Sequence, residues 1–544
     1  MRTRYAFLLS LFFIASCKDS NISFTQRQPE VPALKLKDFN NTLEIKLINT
    51  DTVSAGTIKE FVISTEGTTD LLDIESVALY YTGIKESAIN EKSILLAETT
   101  DIKPIIKLET SFGIKGKENH FRLSYKLKDN ANILNNVGGT CKEIITDKGK
   151  AIAYTDSLKP QKMGVAVRKH NDEDVHTYRI PGLVTTNEGT LLACYDARRD
   201  SRRDLQGNID IGISRSTDGG STWEPMVIAL DMGEFGGLTQ KFNGVSDAGL
   251  LVDKNTGDIF VAGLWMYGVI NEKGKWIENL SDTSQAWNHQ WRNKGSQPGF
   301  EVKQTSQFLI ARSTDDGKTW SKPVNLTRMC KKSEWWLWAP APGNGITLEN
   351  GTLVIPTQGR NREGEPFSNI TYSNDGGLTW KTSNPAYTNT TECAVVQLDD
   401  GSLMLNMRNN RNRNNEGPDN GRAIAVTTDM GETWTEHPTS RNALQEPVCM
   451  GSLYKHVFED GGKKRSILFF SNPDTKKGRH HITIKASIDN GSTWPKEYQI
   501  MLDEGTGNGY SCLTGVDNDH IGILYESSQA DLVFQKIKLS DIVR

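Results

Sequence analysis

Six short stretches carry side chains that could do chemistry together. They are Tyr178-Arg-Ile-Pro-Gly182, Asp196-Ala-Arg-Arg-Asp-Ser-Arg-Arg-Asp204-Leu-Gln-Gly, Thr391-Glu-Cys-Ala-Val-Val, Leu405-Asn-Met-Arg-Asn, the loop after Phe470-Ser-Asn-Pro473 that carries Arg479, and Gly509-Tyr-Ser-Cys-Leu. Arginine presents a fixed planar set of donors and pairs bidentately with a carboxylate, which lysine does not do. Several arginines drawn to one place would therefore grip an organic acid, although any one of them is equally well explained by a surface ion pair. A tyrosine is a poor nucleophile at its free pKa of about 10 and needs a neighbouring base. The carboxylates of the 196–204 stretch offer proton transfer, with Asp200 and Asp204 as competitors. No Cys-x-x-Cys and no His-Glu-x-x-His occurs, so a zinc or redox centre has no support and no metal or cofactor is expected.

The elements that must position these residues are read from what repeats. Ser216-Thr-Asp-Gly-Gly-Ser-Thr-Trp223 recurs from Ser313, Ser373, Thr427 and Ser487, each time ending in Thr-Trp, at intervals of 54 to 97 residues. One supersecondary unit per such period points to a propeller or solenoid. Each copy reads as a hairpin turn in which Asp bonds turn amides, Gly takes positive φ and Trp plugs the space beside the next unit. Five near-identical sites cannot each be a unique catalytic centre, so function is expected in the unrepeated residues. About 50 residues follow the last copy, enough for one further four-stranded unit, and six blades is the natural count. The longest interval holds an insertion from Trp265 to Phe300, with Trp276, Trp287 and Trp291, read either as a loop overhanging a site or as an elaborated blade edge.

Ahead of the repeats, residues 33–155 alternate in period two, as in His120-Phe-Arg-Leu-Ser-Tyr-Lys-Leu, and predict a small β-sandwich that binds carbohydrate or acts as a spacer. The expected propeller spans 156–544, which makes the chain all-β. Residues 1–17 have early arginines, a short apolar run and small residues, the layout of an export signal. Ile14-Ala15-Ser16-Cys17 resembles the bacterial lipobox, which implies lipidation of Cys17, with residues 18–32 as a polar tether and the membrane reached only through the lipid. Cys141, Cys194, Cys330, Cys393, Cys449 and Cys512 are scattered singly and are expected as buried small apolar residues. With 63 Lys+Arg against 67 Asp+Glu, a net charge of −4 leaves no overall basic field for nucleic acid. A monomer is the expectation.

The five Asp-containing repeats resemble the Asp boxes of a β-propeller family. Arg179-Ile-Pro followed by those boxes resembles the sialidases (exo-α-neuraminidases) over roughly residues 160–544. That resemblance implies three arginines, Arg179, Arg408 and Arg479, around the carboxylate of sialic acid. It implies Tyr510 as nucleophile with Glu392 taking its proton, and Asp204 as acid/base. Arg198 and Asp247 would contact the 4-hydroxyl and N-acetyl side, and Glu526 would orient Arg179. A charge argument favours tyrosine here: sialic acid has its own carboxylate at the reacting carbon, which would repel an anionic nucleophile but not a neutral phenol. The implied reaction is release, with retention, of terminal α-linked sialic acid from glycoproteins, glycolipids and oligosaccharides. The alternatives are a trans-sialidase, an intramolecular trans-sialidase, and a non-catalytic lectin that would be expected to lack Tyr510, Glu392 or Asp204.

Overall fold

The computed structural model describes residues 21–543 apart from 52–55, 91, 156–157, 206, 236–239, 269–276, 278–288 and 290–295. Cys17, Trp276, Trp287 and Trp291 lie outside the described residues. The chain is all-β and divides into two compact units.

The smaller unit comprises the described residues of 21–28, 41–125 and 138–159. A six-stranded sheet runs in the order Ile152–Thr155, Ile22–Arg27, Asn40–Asn49, Glu118–Leu127, Ile74–Gly83, Ile94–Thr99. A second sheet orders Gly149–Lys150, Thr140–Thr146, Thr57–Ser64 and Ile105–Gly113. Buried Phe121 of the first sheet meets Phe61 of the second edge-on at 5.2 Å between ring centres. The expected tether at 18–32 requires correction, because Ile22–Arg27 is a strand. Its alternate residues Ile22, Phe24 and Gln26 are buried, so the period-two pattern that marks a strand begins earlier than residue 33. The bounds at 33 and 155 differ from the observed division in two further places, since 29–40 and 126–137 belong to the larger unit.

The larger unit holds six four-stranded antiparallel arrays. In chain order their first strands are Thr177–Thr185, Asn243–Val252, Leu337–Pro340, Thr390–Gln397, Ser452–Asp460 and Ser511–Asp517. A single parallel pairing of Ile209 with Gly244 joins the first two arrays into one sheet. The residues after the last repeat supply only three strands to the sixth array. Its fourth, Gln161–Arg168, comes from ahead of the first array and pairs antiparallel with Leu532–Lys538.

The five repeats close the same turn in the first five arrays, each leaving the third strand. At Ser216 the hydroxyl donates to Asp218 Oδ1 at 2.9 Å and accepts from the Gly220 amide at 2.9 Å, while Asp218 Oδ2 accepts from the Thr222 hydroxyl at 2.6 Å. The glycine at the fifth position of each turn abuts the preceding array. A Cβ on Gly377, where φ is +85°, would sit 2.6 Å from Phe260, and one on Gly220 would overlap Phe534 of the sixth array. Gly317 meets Leu192 and Gly491 meets Met404 in the same way. Trp265 is fully buried, its indole N–H held by Asn243 at 2.8 Å, so it belongs to the core and not to an overhanging loop. The six cysteines from Cys141 to Cys512 are buried and free.

Candidate active site

In an antiparallel meander the start of the first strand and the end of the second lie at the same edge of the sheet. The predicted site residues use that edge. Arg179 and Glu392 sit near the starts of first strands, Tyr510 immediately precedes one, and Asp247 lies midway along another at a break in its pairing. Arg198 and Arg408 close second strands, Glu526 directly follows another, and Asp204 and Arg479 lie in loops between second and third strands.

Local irregularity then aims the side chains. Pairing slips between Arg179 and Gly182, between Ser246 and Gly249, and between Thr390 and Cys393. Such bulges bend a strand and redirect a side chain. At two of them a residue takes positive φ, Ile180 at 60° and Asp247 at 56°. For a β-branched residue this is a strained conformation. It is held at Ile180 by a hydrogen bond from its amide to Glu526 Oε1 at 2.9 Å. Gly509 has φ of +88°, and a Cβ there would lie 2.9 Å from Pro473 and 3.0 Å from the Arg479 Cβ. Only glycine lets the Tyr510 and Arg479 segments approach this closely.

Three side chains close the centre of the site. The buried Tyr510 hydroxyl donates to Glu392 Oε1, and Arg408 Nη1 donates both to Glu392 Oε2 at 2.5 Å and to the Tyr510 oxygen at 2.9 Å. Burial, with the charge of Glu392 adding to it, pushes the Tyr510 hydroxyl well above its usual range, so the phenol is held neutral. Arg408 Nε is buried without a hydrogen-bond partner, a donor available to a ligand. The guanidinium carbons of Arg179 and Arg479 lie 5.5 and 5.4 Å from the Tyr510 ring centre. Three arginines thus gather around one phenol, although the whole chain is net negative.

Glu526 ties two of these groups together. Its carboxylate accepts from Arg179 Nε at 2.5 Å and Nη2 at 3.3 Å, and from the Tyr510 amide at 2.9 Å. Burial works against its ionisation, but Arg179 and the two backbone amides outweigh that and hold its pKa below the ordinary value. Arg479 donates to the Asn508 carbonyl at 2.8 Å.

A second bonded group surrounds Arg198. Its Nη2 donates to Asp204 Oδ1 at 2.8 Å and to Asp196 Oδ2 at 2.9 Å, and its Nε reaches the same Asp196 oxygen at 3.1 Å. Asp204, not Asp200, is the aspartate tied to Arg198, and its side chain is 61% exposed. Next to it Leu205 is buried among Leu264, Met266, Leu337 and Ala339, which anchors the loop. Asp196 is fully buried, also accepts from the Ser246 hydroxyl at 2.6 Å, and is raised by burial to about 6. Burial, together with the charges of Asp204, Glu392 and Asp196, raises the Asp247 carboxyl well above its ordinary value.

Sequence reasoning had not identified Asp196 or Ser246 as supports. Asp196 is two residues from Arg198 on one strand and so shares its face, a period-two signal that was available. Nor had it found Glu446, fully buried beside Asn409 at the end of the strand that carries Arg408. Glu446 pairs with Arg422 at 2.7 Å and accepts from the Asn409 amide at 2.7 Å and Asn412 Nδ2 at 2.9 Å. Only folding brings it to the end of that strand.

An all-β fold with five near-identical turns and a Tyr–Glu–Arg centre defines a BNR-repeat glycosidase. Residues 180–505 match the BNR repeat-like domain, and residues 21–150 match the N-terminal domain of BNR-repeat neuraminidase. A sialidase of Bacteroides fragilis is 39% identical over 95% of both chains. One of Clostridium perfringens is 29% identical over 68% of this chain and 92% of its own. A solved Hadza microbial sialidase superposes with a TM-score of 0.85 at 37% identity, covering 95% of this chain and all of that one. The chain belongs to the bacterial sialidase family, exo-acting glycoside hydrolases.

Proposed function

We propose that the protein hydrolyses terminal α-linked sialic acids of glycoproteins, glycolipids and oligosaccharides with retention, using Tyr510 as nucleophile. The observation that carries this reading is the buried Tyr510 hydroxyl, hydrogen-bonded to Glu392 and bridged to it by Arg408. Arg179, Arg408 and Arg479 clamp the substrate carboxylate, and the neutral phenol approaches C2 without the repulsion an anion would meet. As the Tyr510 oxygen bonds to C2, its proton passes to Glu392, Asp204 protonates the departing glycosidic oxygen, and the C2–O bond breaks. Asp204 then takes a proton from water, the hydroxide attacks C2, and the Tyr510 oxygen leaves and recovers its proton from Glu392. Arg198 holds Asp204 in place, and Asp247 faces the 4-hydroxyl and N-acetyl side.

The six arrays are read as the blades of a closed six-bladed propeller. Support comes from the fifth-position glycine of each repeat, which abuts the preceding array, including Gly220 of the first against Phe534 of the sixth. The smaller unit is read as a β-sandwich that holds glycan or spaces the enzyme from its anchor. The chain is read as an exported monomeric lipoprotein anchored through Cys17 at the periplasmic or outer face. Cys17→Ser should then move activity from the membrane fraction to the soluble one.

The central test is cleavage of a fluorogenic α-sialoside by the wild type, Tyr510→Phe and Asp204→Ala, with the product anomer followed by NMR. The α-anomer of free sialic acid formed first is the expected product. A first-formed β-anomer refutes retention, and an anhydro or transferred sugar shifts the reading to a trans-sialidase. Binding without turnover on every linkage supports the lectin.

A further inference from the structure

Beside Arg408 and Arg479 a cavity of about 360 Å3 opens, lined on its outer side by Arg413, Lys476 and Lys477, with Glu416 as its one carboxylate. The Lys476 ammonium donates to the carbonyls of Gly417 at 2.7 Å and Glu416 at 3.2 Å, and Lys477 lies 3.5 Å from the Glu416 carboxylate. Arg413 is exposed and makes no ion pair with any described residue. Five cations thus face one carboxylate, and two of the five belong to the clamp already described. Deep in the cavity wall, Asn412 is 2% exposed and its Oδ1 is a buried polar atom without a hydrogen-bond partner. A surplus of positive charge in a cleft concentrates anions.

We propose that this cavity is a subsite for an acidic group on the penultimate sugar, so that the enzyme prefers glycans in which the released sialic acid is linked to a second sialic acid. The proposal rests on the sialidase reading above. Once Arg179, Arg408 and Arg479 hold the first carboxylate, Arg413, Lys476 and Lys477 remain to receive a second.

The test compares kcat/KM for an α2,8-linked disialyllactose, a 3′-sialyllactose with a neutral penultimate sugar, and a sulfated sialyllactosamine, in the wild type, Arg413→Ala, Lys477→Ala and Arg413→Lys. Wild type should favour the disialoside. Each alanine variant should lower that preference by up to about tenfold, the effect of losing ~1.4 kcal/mol of charge contact, while 3′-sialyllactose turnover holds. Arg413→Lys should keep most of the preference, and added salt should erode it. A sulfated substrate favoured to the same degree shows that charge is what the subsite reads. Tryptophan fluorescence melts establish that the variants are folded. An equal kcat/KM for the disialoside and 3′-sialyllactose in wild type, or a preference untouched by both alanine variants, overturns the subsite. Failure of wild type to cleave any of the three overturns the sialidase reading instead.

Discussion

Glu526→Ala should damage both the fold and the clamp, and the structure sets the scale. Glu526 is 1% exposed and is the partner of Arg179, whose side chain is 13% exposed. Removing one member of a buried ion pair costs ~3–5 kcal/mol, because the other charge stays buried and uncompensated. The amides of Ile180 and Tyr510 also lose their acceptor, a loss of ~1–3 kcal/mol each when no water replaces it. These contributions overlap within one network and do not add fully, so the expected loss is about 4–6 kcal/mol. Glu526→Gln keeps the shape and one acceptor oxygen and should cost roughly half as much, since charge-assisted bonds are about twice as strong as neutral ones. All 12 tryptophans lie between Trp223 and Trp494, inside the larger unit, so tryptophan fluorescence in urea reports that unit alone. The pKa of Glu526 is lowered in the folded state, so its stabilisation is present above the unfolded carboxylate pKa and lost as pH falls through the folded value. The gap between wild type and Glu526→Gln should accordingly narrow in acid. A Glu526→Ala protein within about 1 kcal/mol of wild type, with kcat/KM on a fluorogenic sialoside unchanged, would refute the reasoning.

Other substitutions probe separate links. Glu392→Gln and Asp204→Ala should each lower kcat by ~10²–10⁴, the usual contribution of a positioned acid or base. A substrate with a leaving group that needs no protonation should rescue Asp204→Ala but not Glu392→Gln, and equal rescue of both would contradict the assigned roles. Tyr510→Phe should abolish the covalent step while costing only ~1.5–3 kcal/mol of stability, since its hydroxyl bonds charged groups; full turnover by this variant would remove the nucleophile. Gly509→Ala forces a side chain into positive φ, at ~1–3 kcal/mol, and presses on Arg479. KM should therefore rise more than kcat falls, and an unchanged KM would mean that Arg479 does not depend on this contact. Asp196, raised by burial from 3.8 to about 6, favours the fold below pH 3.8, and that advantage is lost as pH rises through about 6. Measured against Asp196→Asn, wild-type stability should fall by about 3 kcal/mol across that window, and a flat difference would show that Asp196 ionises freely.

Much of the site was legible because it is made of unusual residues in short local patterns. Arg179 stands in Arg-Ile-Pro, Tyr510 follows Gly509, and Glu392 precedes Arg408 by sixteen residues. The repeat turns were legible for a similar reason: the bonds from Asp218 to Thr222 span four residues, and their geometry follows from residue type and spacing. Strand alternation likewise marked the smaller unit, though not its first strand at Ile22–Arg27, where polar neighbours masked the pattern.

What the sequence by itself determined was the chemistry available and the repeated unit, because both depend on neighbours along the chain. Tertiary structure alone decided which of these residues touch. Tyr510 and Glu392 are 118 residues apart and Arg179 and Glu526 are 347 apart, and no local pattern encodes such distances. The closing strand Gln161–Arg168, the bulges at Ile180 and Asp247, and the placement of Glu446 against Arg422 and Asn409 are of the same kind. Each follows from how separate sheets pack and where their pairing slips. Burial, which keeps the Tyr510 phenol neutral beside three arginines, exists only once those sheets have met.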